Sequence, residues 1–341
     1  MAEKRIKIAV SGIPRGYHFP QEDGNWLTDH HRMMITSVSP LVDLIEVPAS
    51  EVQKTDLNGI EIVLAEGGNR THYPGELDWE DYLHFSNPAL KWIQLCSTGF
   101  SDNITPEILS GKVLLTNAPG LHTIPIAESV MAAMLQYAKQ LQMRKEDQAN
   151  RRWIQRKNRE LNGSVVLIVG LGKIGQEVAR LCKSFGMRVI GTRLHAQETP
   201  FVDEVFTAQE INSFLPQADY VVMAVPLTGA TKNMLNKEGF AAMKATSFLI
   251  NIGRGQTVCE HALVDALIKK KIGGAYLDAF VEEPLPQGHV LWNLEGCVIV
   301  PHDSHSSPHI GDRMVEIFCE NLQLYVSGQP LNHVCDPKRG Y

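Results

Sequence analysis

Between Leu161 and Val300, short apolar runs alternate with segments whose apolar residues recur at helical spacing, the pattern of βαβ units feeding a parallel sheet. The predicted strands there are Val165–Val169, Met187–Gly191, Tyr220–Ala224, Ser247–Ile250, Gly274–Leu277 and Val298–Val300. Being apolar throughout, they fit strands covered on both faces. Ile174, Val178, Leu181 and Phe185 mark one helix face, which Gly186 closes as a left-handed cap. Thr257 and Glu260 predict a capping box opening a helix that buries Leu263, Ala266 and Leu267 and ends on Lys269, Lys270 and Lys271, where the helix dipole favours cations. Before residue 103 the alternation is less regular, with strand candidates at Ile6–Val10, Val42–Val47, Glu61–Leu64 and Leu90–Leu95, and reads as a smaller α/β domain. After Pro308 the spacing of Met314, Ile317, Phe318, Leu322 and Tyr325 predicts a helix, followed by an irregular tail from Pro330. The charge-rich stretch Arg144 to Glu160, with Trp153 in it, predicts a solvated helix and linker.

A chain of 341 residues suggests two domains. With 44% hydrophobic and 21% charged residues, each domain can bury a sizeable core, which excludes disordered and fibrous classes. The formal charge of −6 supplies no basic face for nucleic acid or an anionic membrane. Val165–Leu171 and Tyr220–Leu227 fall far short of the ~20 apolar residues of a membrane span, and Ile8-Ala9-Val10 is too short for a secretory signal, so a cytoplasmic location is expected. Six scattered cysteines without C-x-x-C predict buried free thiols in a reducing compartment, with Cys259 a packing residue.

Val165–Val169 leads directly into Gly170-Leu171-Gly172-Lys173-Ile174-Gly175, a G-x-G-x-x-G turn opening an amphipathic helix. In this context the first glycine permits the tight turn, the second lets backbone approach a pyrophosphate, and the third lets helix meet strand. The helix N-terminus offers N–H groups and a positive dipole end to the phosphates. At the end of the next strand an NAD site usually carries Asp or Glu for the ribose hydroxyls. Here Gly191-Thr192-Arg193 stands instead, and a guanidinium pairs with a 2′-phosphate, so NADP(H) is favoured and NAD(H) kept open.

Further landmarks follow in order: Thr116-Asn117-Ala118-Pro119-Gly120, Ala127-Glu128, Trp153, Val225-Pro226-Leu227-Thr228 with Thr231, Asn251-Ile252-Gly253-Arg254-Gly255, Gly274 to Phe280 leading to Glu283-Pro284, and Pro301-His302. From about Ile60 onward the chain resembles the D-isomer-specific 2-hydroxyacid dehydrogenase family, which contains glyoxylate/hydroxypyruvate reductases, phosphoglycerate dehydrogenases and formate dehydrogenase. The resemblance implies an α/β architecture with a Rossmann cofactor domain, residues 103–303, inserted into a smaller flavodoxin-like substrate domain, residues 1–102 and 304–341. It implies Arg254 as substrate anchor, His302 as acid/base and Glu283 as its orienting partner. Gly170, Gly172, Lys173, Ile174, Gly175, Thr192, Arg193, Val225, Pro226, Thr231, Ile252, Gly253, Asp278 and Ser304 would line the cofactor, and Gly67, Gly68 and Asn69 would close on the substrate carboxylate. A homodimer joined through residues 121–152 is a further family expectation. The loop Asp303-Ser304-His305-Ser306-Ser307-Pro308-His309 departs from the small-residue loop common after the family's histidine.

The chemistry needs these residue types. Reducing a 2-oxo acid such as glyoxylate, hydroxypyruvate or a phenyl- or alkyl-substituted analogue requires a hydride, a proton for the developing alkoxide, and a cation on the carboxylate. Histidine exchanges protons near neutrality, a carboxylate partner fixes its tautomer, and arginine meets a carboxylate with two parallel hydrogen bonds. His302, His305 and His309 could suggest a metal, but Pro301 and Pro308 break the helix that this spacing would need, so no metal is expected. The alternative to an enzyme is a dinucleotide-dependent binding protein like the family's transcriptional co-repressor. The short stretch after Tyr325 favours the enzyme.

Overall fold

The computed structural model describes residues 5–11, 26–46, 58–65, 87–100 and 104–337. The chain divides into two units, Met1–His122 with Ser306–Tyr341, and Thr123–His305. The first holds β1 (Ile6–Ser11), β2 (Val42–Glu46), β3 (Ile60–Ala65), β4 (Trp92–Leu95) and β5 (Leu114–Thr116). They form a five-stranded parallel sheet of order β2-β1-β3-β4-β5, the flavodoxin-like order. Trp92 anchors this unit by stacking on Phe318 and Tyr325 of the helix Ile310–Val326, at 5.3 and 5.6 Å between ring centroids. Its indole N–H donates to Thr116 Oγ1 at 2.7 Å, and Thr116 donates on to Gln94 Oε1 at 2.8 Å. Buried Asn321 also donates to Gln94, at 3.1 Å, and clamps the Asn332 backbone, so the C-terminal segment belongs to this core.

β5 corrects the expected domain boundary. β5 pairs with β4, Trp92 opposite Leu114 and Gln94 opposite Thr116, and the first unit runs to His122 instead of residue 102. The second boundary falls after His305 instead of residue 303.

The second unit holds β6 (Val165–Val169), β7 (Arg188–Arg193), β8 (Glu204–Thr207), β9 (Tyr220–Met223), β10 (Phe248–Asn251), β11 (Gly274–Leu277) and β12 (Cys297–Ile299). Their parallel order, β12-β11-β10-β9-β6-β7-β8, is the doubly wound arrangement in which strand order reverses beside β6 and ligands bind at the carboxyl ends. β7 runs two residues beyond the expected Gly191 because β8, which the apolar pattern does not mark, pairs Arg193 with Thr207. The helix Thr123–Ala138 lays Ile126, Val130 and Met134 against Val178 and Cys182 of the helix Lys173–Ser184. That second helix ends as expected, with Gly186 at φ +74°.

Three local expectations change. The Thr257/Glu260 capping box does not form: the helix Glu260–Ile268 starts after Cys259, and Thr257 instead donates to the Arg254 carbonyl at 2.7 Å. The charge-rich stretch is a helix and a mostly exposed linker, as expected, except that the helix Leu141–Ala149 buries Asp147 against Arg152 and Arg156 at 3.0 and 2.6 Å. All six cysteines are free, but Cys259, Cys297 and Cys319 are half-buried. Among the described residues, no helix is long and apolar enough to cross a membrane.

Candidate active site

β6 ends in Gly170 at φ +106°, where a Cβ would fall 2.6 Å from the Ala224 carbonyl oxygen. At Gly175 a Cβ would fall 2.0 Å from the Gly170 carbonyl oxygen, so both glycines are demanded by the packing of turn, strand and helix. Gly172 differs: a Cβ there would meet nothing within 4 Å. It is also the N-cap of the helix Lys173–Ser184, and no side chain caps that end. Beside this turn, the Leu171 N–H donates to the Thr192 carbonyl at 3.0 Å. The Thr192 hydroxyl is buried without a hydrogen-bond partner, and the residue is 1% exposed. An uncapped helix end, open space over Gly172 and an orphaned hydroxyl together fit a dinucleotide whose phosphates lie on the turn. Arg193, one residue further, donates from Nη1 to Thr199 Oγ1 at 3.3 Å.

The loops after the neighbouring strands are drawn together. Thr231 Oγ1 donates to the Pro226 carbonyl at 2.6 Å and accepts from Thr228 N–H at 2.7 Å, shaping the turn that follows Val225. Asn251 closes β10 with an Asx turn, accepting from Gly253 N–H at 3.1 Å and donating to the Arg254 carbonyl at 3.2 Å. With Thr257 on the same carbonyl, the Arg254 backbone is fixed while its side chain stands exposed, touching the Gly253 carbonyl at 2.9 Å through Nη1.

His302 Nδ1 and Glu283 Oε2 lie 2.8 Å apart, and Glu283 Oε1 accepts from Phe280 N–H at 2.9 Å. The carboxylate is therefore held at both oxygens, and the imidazole presents Nε2 on the side away from it. Burial works against the Glu283 charge, yet the hydrogen bonds from His302 and Phe280 N–H, with the charges of His302 and Arg254, hold its carboxyl below the usual range. Asp278, at the end of β11, moves the other way. Burial pushes its carboxyl up, against the hydrogen bonds from Ser304 and the nearby charge of His302. Asp278 Oδ1 accepts from Ser304 N–H at 3.1 Å, which ties β11 to the segment following His302.

Within the second unit, the expected residues at Gly170 to Gly175, Thr192, Arg193, Val225, Pro226, Thr231, Ile252, Gly253, Arg254, Asp278, Glu283, His302 and Ser304 thus all lie at or just beyond the carboxyl ends of β6, β7, β9, β10, β11 and β12. Gly67, Gly68 and Asn69 lie outside the described residues. The three histidines do not converge. His305 stacks edge-on to His302 at 6.3 Å, whereas His309 belongs to the first unit, where its Nδ1 lies 3.6 Å from Asp312. Among the described residues, no group of three or more His, Cys, Asp or Glu comes together to hold a metal. Sequence reasoning missed Asn251, Thr257 and Thr199 as supports of Arg254 and Arg193. Asn before a glycine at a strand end was the available signal for the first.

A seven-stranded doubly wound sheet with this fingerprint at its carboxyl edge is the architecture of a dinucleotide-binding domain. Residues 131–304 match the family described as D-isomer specific 2-hydroxyacid dehydrogenase, NAD binding domain. The chain is 33% identical over 258 residues to a human glyoxylate reductase/hydroxypyruvate reductase, covering 73% of this chain and 78% of that protein. A crystal structure of a D-isomer specific 2-hydroxyacid dehydrogenase family protein from Aeromonas salmonicida superposes with a TM-score of 0.80 at 28% identity, covering 98% of this chain and 99% of the other. An NADPH-dependent glyoxylate/hydroxypyruvate reductase from Sinorhizobium meliloti, solved with NADP and sulfate, gives 0.75 at 24% identity, covering 99% and 100%. The chain belongs to the D-isomer specific 2-hydroxyacid dehydrogenase family and is an NAD(P)-dependent 2-hydroxyacid dehydrogenase.

The raised Asp278 carboxyl carries a stability prediction. The folded protein keeps a proton that the unfolded chain releases near pH 3.9, so stability falls as pH rises through that window, and the penalty is complete above the raised value. Asp278→Asn keeps an acceptor for Ser304 N–H and removes the buried charge. Thermal unfolding should show the variant more stable than wild type by a few degrees at neutral pH, with the gain vanishing near pH 4. A gain of equal size at both pH values would assign the effect to something other than charge.

Proposed function

We propose that the protein interconverts a small 2-oxo acid and its D-2-hydroxy acid, with glyoxylate and hydroxypyruvate as the first candidates and NADP(H) as preferred cofactor. The observation that carries this reading is the 2.8 Å contact between His302 Nδ1 and Glu283 beside the exposed Arg254 guanidinium. The name of the human relative supports the substrate class.

A bound nicotinamide dinucleotide supplies the hydride to the carbonyl carbon. Arg254 grips the substrate carboxylate with its planar fork and polarises the adjacent carbonyl. His302 gives its Nε2 proton to the carbonyl oxygen as that oxygen gains negative charge, and takes it back in the reverse direction. Glu283 keeps the Nδ1 proton in place and stabilises the imidazolium. Gly170, Gly172, Lys173, Ile174 and Gly175 would hold the pyrophosphate; Thr192 and Arg193 the adenosine end; Val225, Pro226, Thr231, Ile252, Gly253, Asp278 and Ser304 the nicotinamide half. Gly67, Gly68 and Asn69 complete the proposed substrate contacts.

His302→Ala should lower turnover about 10²–10⁴-fold with little change in cofactor affinity, measured by steady-state kinetics and cofactor titration. Glu283→Gln should move the alkaline fall of the reduction profile to lower pH, because the imidazolium loses its counter-charge. Near-wild-type turnover in His302→Ala would remove it from the mechanism.

Cofactor preference follows from Arg193. Thr199 occupies one of its nitrogens, and a guanidinium has donors to spare for a 2′-phosphate. Charge-assisted hydrogen bonds of about 1.5–3 kcal/mol correspond to a preference on the order of 10–100-fold for NADPH over NADH. Arg193→Asp should weaken NADPH binding strongly and leave NADH binding similar or improved; equal binding of both cofactors by the wild type would contradict the assignment.

Exposed Ile124, Leu141, Met143 and Ile154, with Trp153 98% exposed, support a homodimer joined through residues 121–152. Sedimentation should give twice the chain mass, and a monomer would overturn this assembly. The six free cysteines fit a cytoplasmic location.

A further inference from the structure

His302 has φ +53°, a left-handed conformation that is strained for a residue with a Cβ and persists only where the surroundings over-determine it. On the upstream side the restraint is plain: Val300 N–H donates to the Leu277 carbonyl at 2.9 Å, and His302 N–H turns back to the Val300 carbonyl at 2.9 Å. On the downstream side the restraint is concentrated in Ser304. Its N–H donates to Asp278 at 3.1 Å, its carbonyl accepts from Ser129 Oγ at 3.3 Å, and its hydroxyl lies 2.9 Å from the Tyr276 hydroxyl. Every polar group of this buried serine is engaged.

The three partners come from rigid elements. Asp278 closes β11, Tyr276 lies within it, and Ser129 sits on the helix Thr123–Ala138. Burial pushes the Tyr276 phenol up, so it stays a neutral O–H group. Either hydroxyl can donate in the 2.9 Å contact between Tyr276 and Ser304, and in both directions it ties the Ser304 side chain to β11.

We infer that Tyr276 is a positioning residue for the acid/base histidine: its hydroxyl, through Ser304, fixes the segment that holds His302 in its left-handed conformation against Glu283. This rests on the proposed role of His302 for its kinetic consequence, but its structural part does not. No residue outside this second unit is needed for the argument.

Tyr276→Phe deletes one oxygen and keeps the ring in the core. The full-length enzyme should show kcat for reduction lowered about 3–10-fold, with KM for the oxo acid and cofactor affinity held within about twofold. The Nδ1 proton of His302, identified in the cofactor-free protein as the downfield resonance lost in His302→Ala, should broaden or exchange faster in Tyr276→Phe. Ser304→Ala should lower kcat and alter the resonance in the same way, and the double variant should add little to either, because both substitutions break one connection. Tyr137→Phe serves as control. It deletes a comparable hydroxyl, bonded to the Thr246 carbonyl at 2.9 Å, and should lower thermal stability without moving kcat or the resonance. An unchanged resonance in Tyr276→Phe would overturn the inference whatever the kinetics. A changed resonance with unchanged kcat, in an enzyme whose turnover depends on His302, would also overturn it. If His302→Ala itself keeps turnover, the proposed mechanism fails while the resonance still decides the anchoring.

Discussion

The site depends on how closely the backbones beyond adjacent strands approach one another. Along the carboxyl edge, β6 meets β9 where a Cβ on Gly170 would fall 2.6 Å from the Ala224 oxygen, and β9 meets β10 where one on Gly253 would fall 2.7 Å from the Val225 oxygen. β10 meets β11 where a Cβ on Gly255 would fall 2.0 Å from the Phe280 carbonyl carbon. One glycine at each junction lets the loops lie in backbone contact, at separations real Cβ atoms do not tolerate. Arg254 stands between the last two of these contacts, and Phe280, at the last, supplies the N–H that fixes Glu283. A side chain at any junction would push these loops, and the groups they carry, apart.

On that framework the environment sorts the two carboxylates. Glu283 is pushed up by burial but gains two hydrogen bonds and nearby positive charge, which hold its carboxyl below the usual range. Asp278, 4% exposed, is held up by burial despite bonds from Ser304. The first is suited to keeping an imidazolium charged, the second to accepting from a neutral amide or hydroxyl in a dry site.

Much of this arrangement is legible in the chain because it is written in residue types with narrow backbone or packing requirements. At the site the apolar strand β6 is followed by Gly170, β11 by Asp278 and β9 shortly by Pro226, and Gly186 announces the end of its helix. Elements stabilised chiefly by their neighbours are not announced. β5 has three residues, one of them exposed, and exists through its pairing with β4; β8 is half-buried along its length and exists through β7. Missing β5 displaced the domain boundary. Thr257 and Glu260 have the spacing of a capping box, but a 3₁₀ turn at Gly255–Thr257 intervenes, and the Arg254 carbonyl claims the threonine hydroxyl. Local spacing shows which bonds are possible, and tertiary competition chooses among them.

The same reasoning separates what the fold requires from what a ligand requires. Of the three fingerprint glycines, Gly170 and Gly175 would collide with the protein's own carbonyls if given a side chain, and Gly170 also has a positive φ. Gly172 has extended backbone, at φ −74° and ψ −168°, and open space where its Cβ would be, so nothing in the polypeptide excludes alanine there. Its small size therefore matters only to something outside the chain that comes close to the backbone at the start of a helix. The helix dipole and unpaired N–H groups of such an end favour an anion over a neutral group. Arg193 then adds a second positive site at the end of the adjacent strand, on the residue following the unpartnered Thr192 hydroxyl. A nicotinamide dinucleotide, with phosphate in its middle, satisfies the helix end, and under the NADP(H) preference proposed above its 2′-phosphate would use the arginine, so that the glycine and the arginine would be two readings of one molecule.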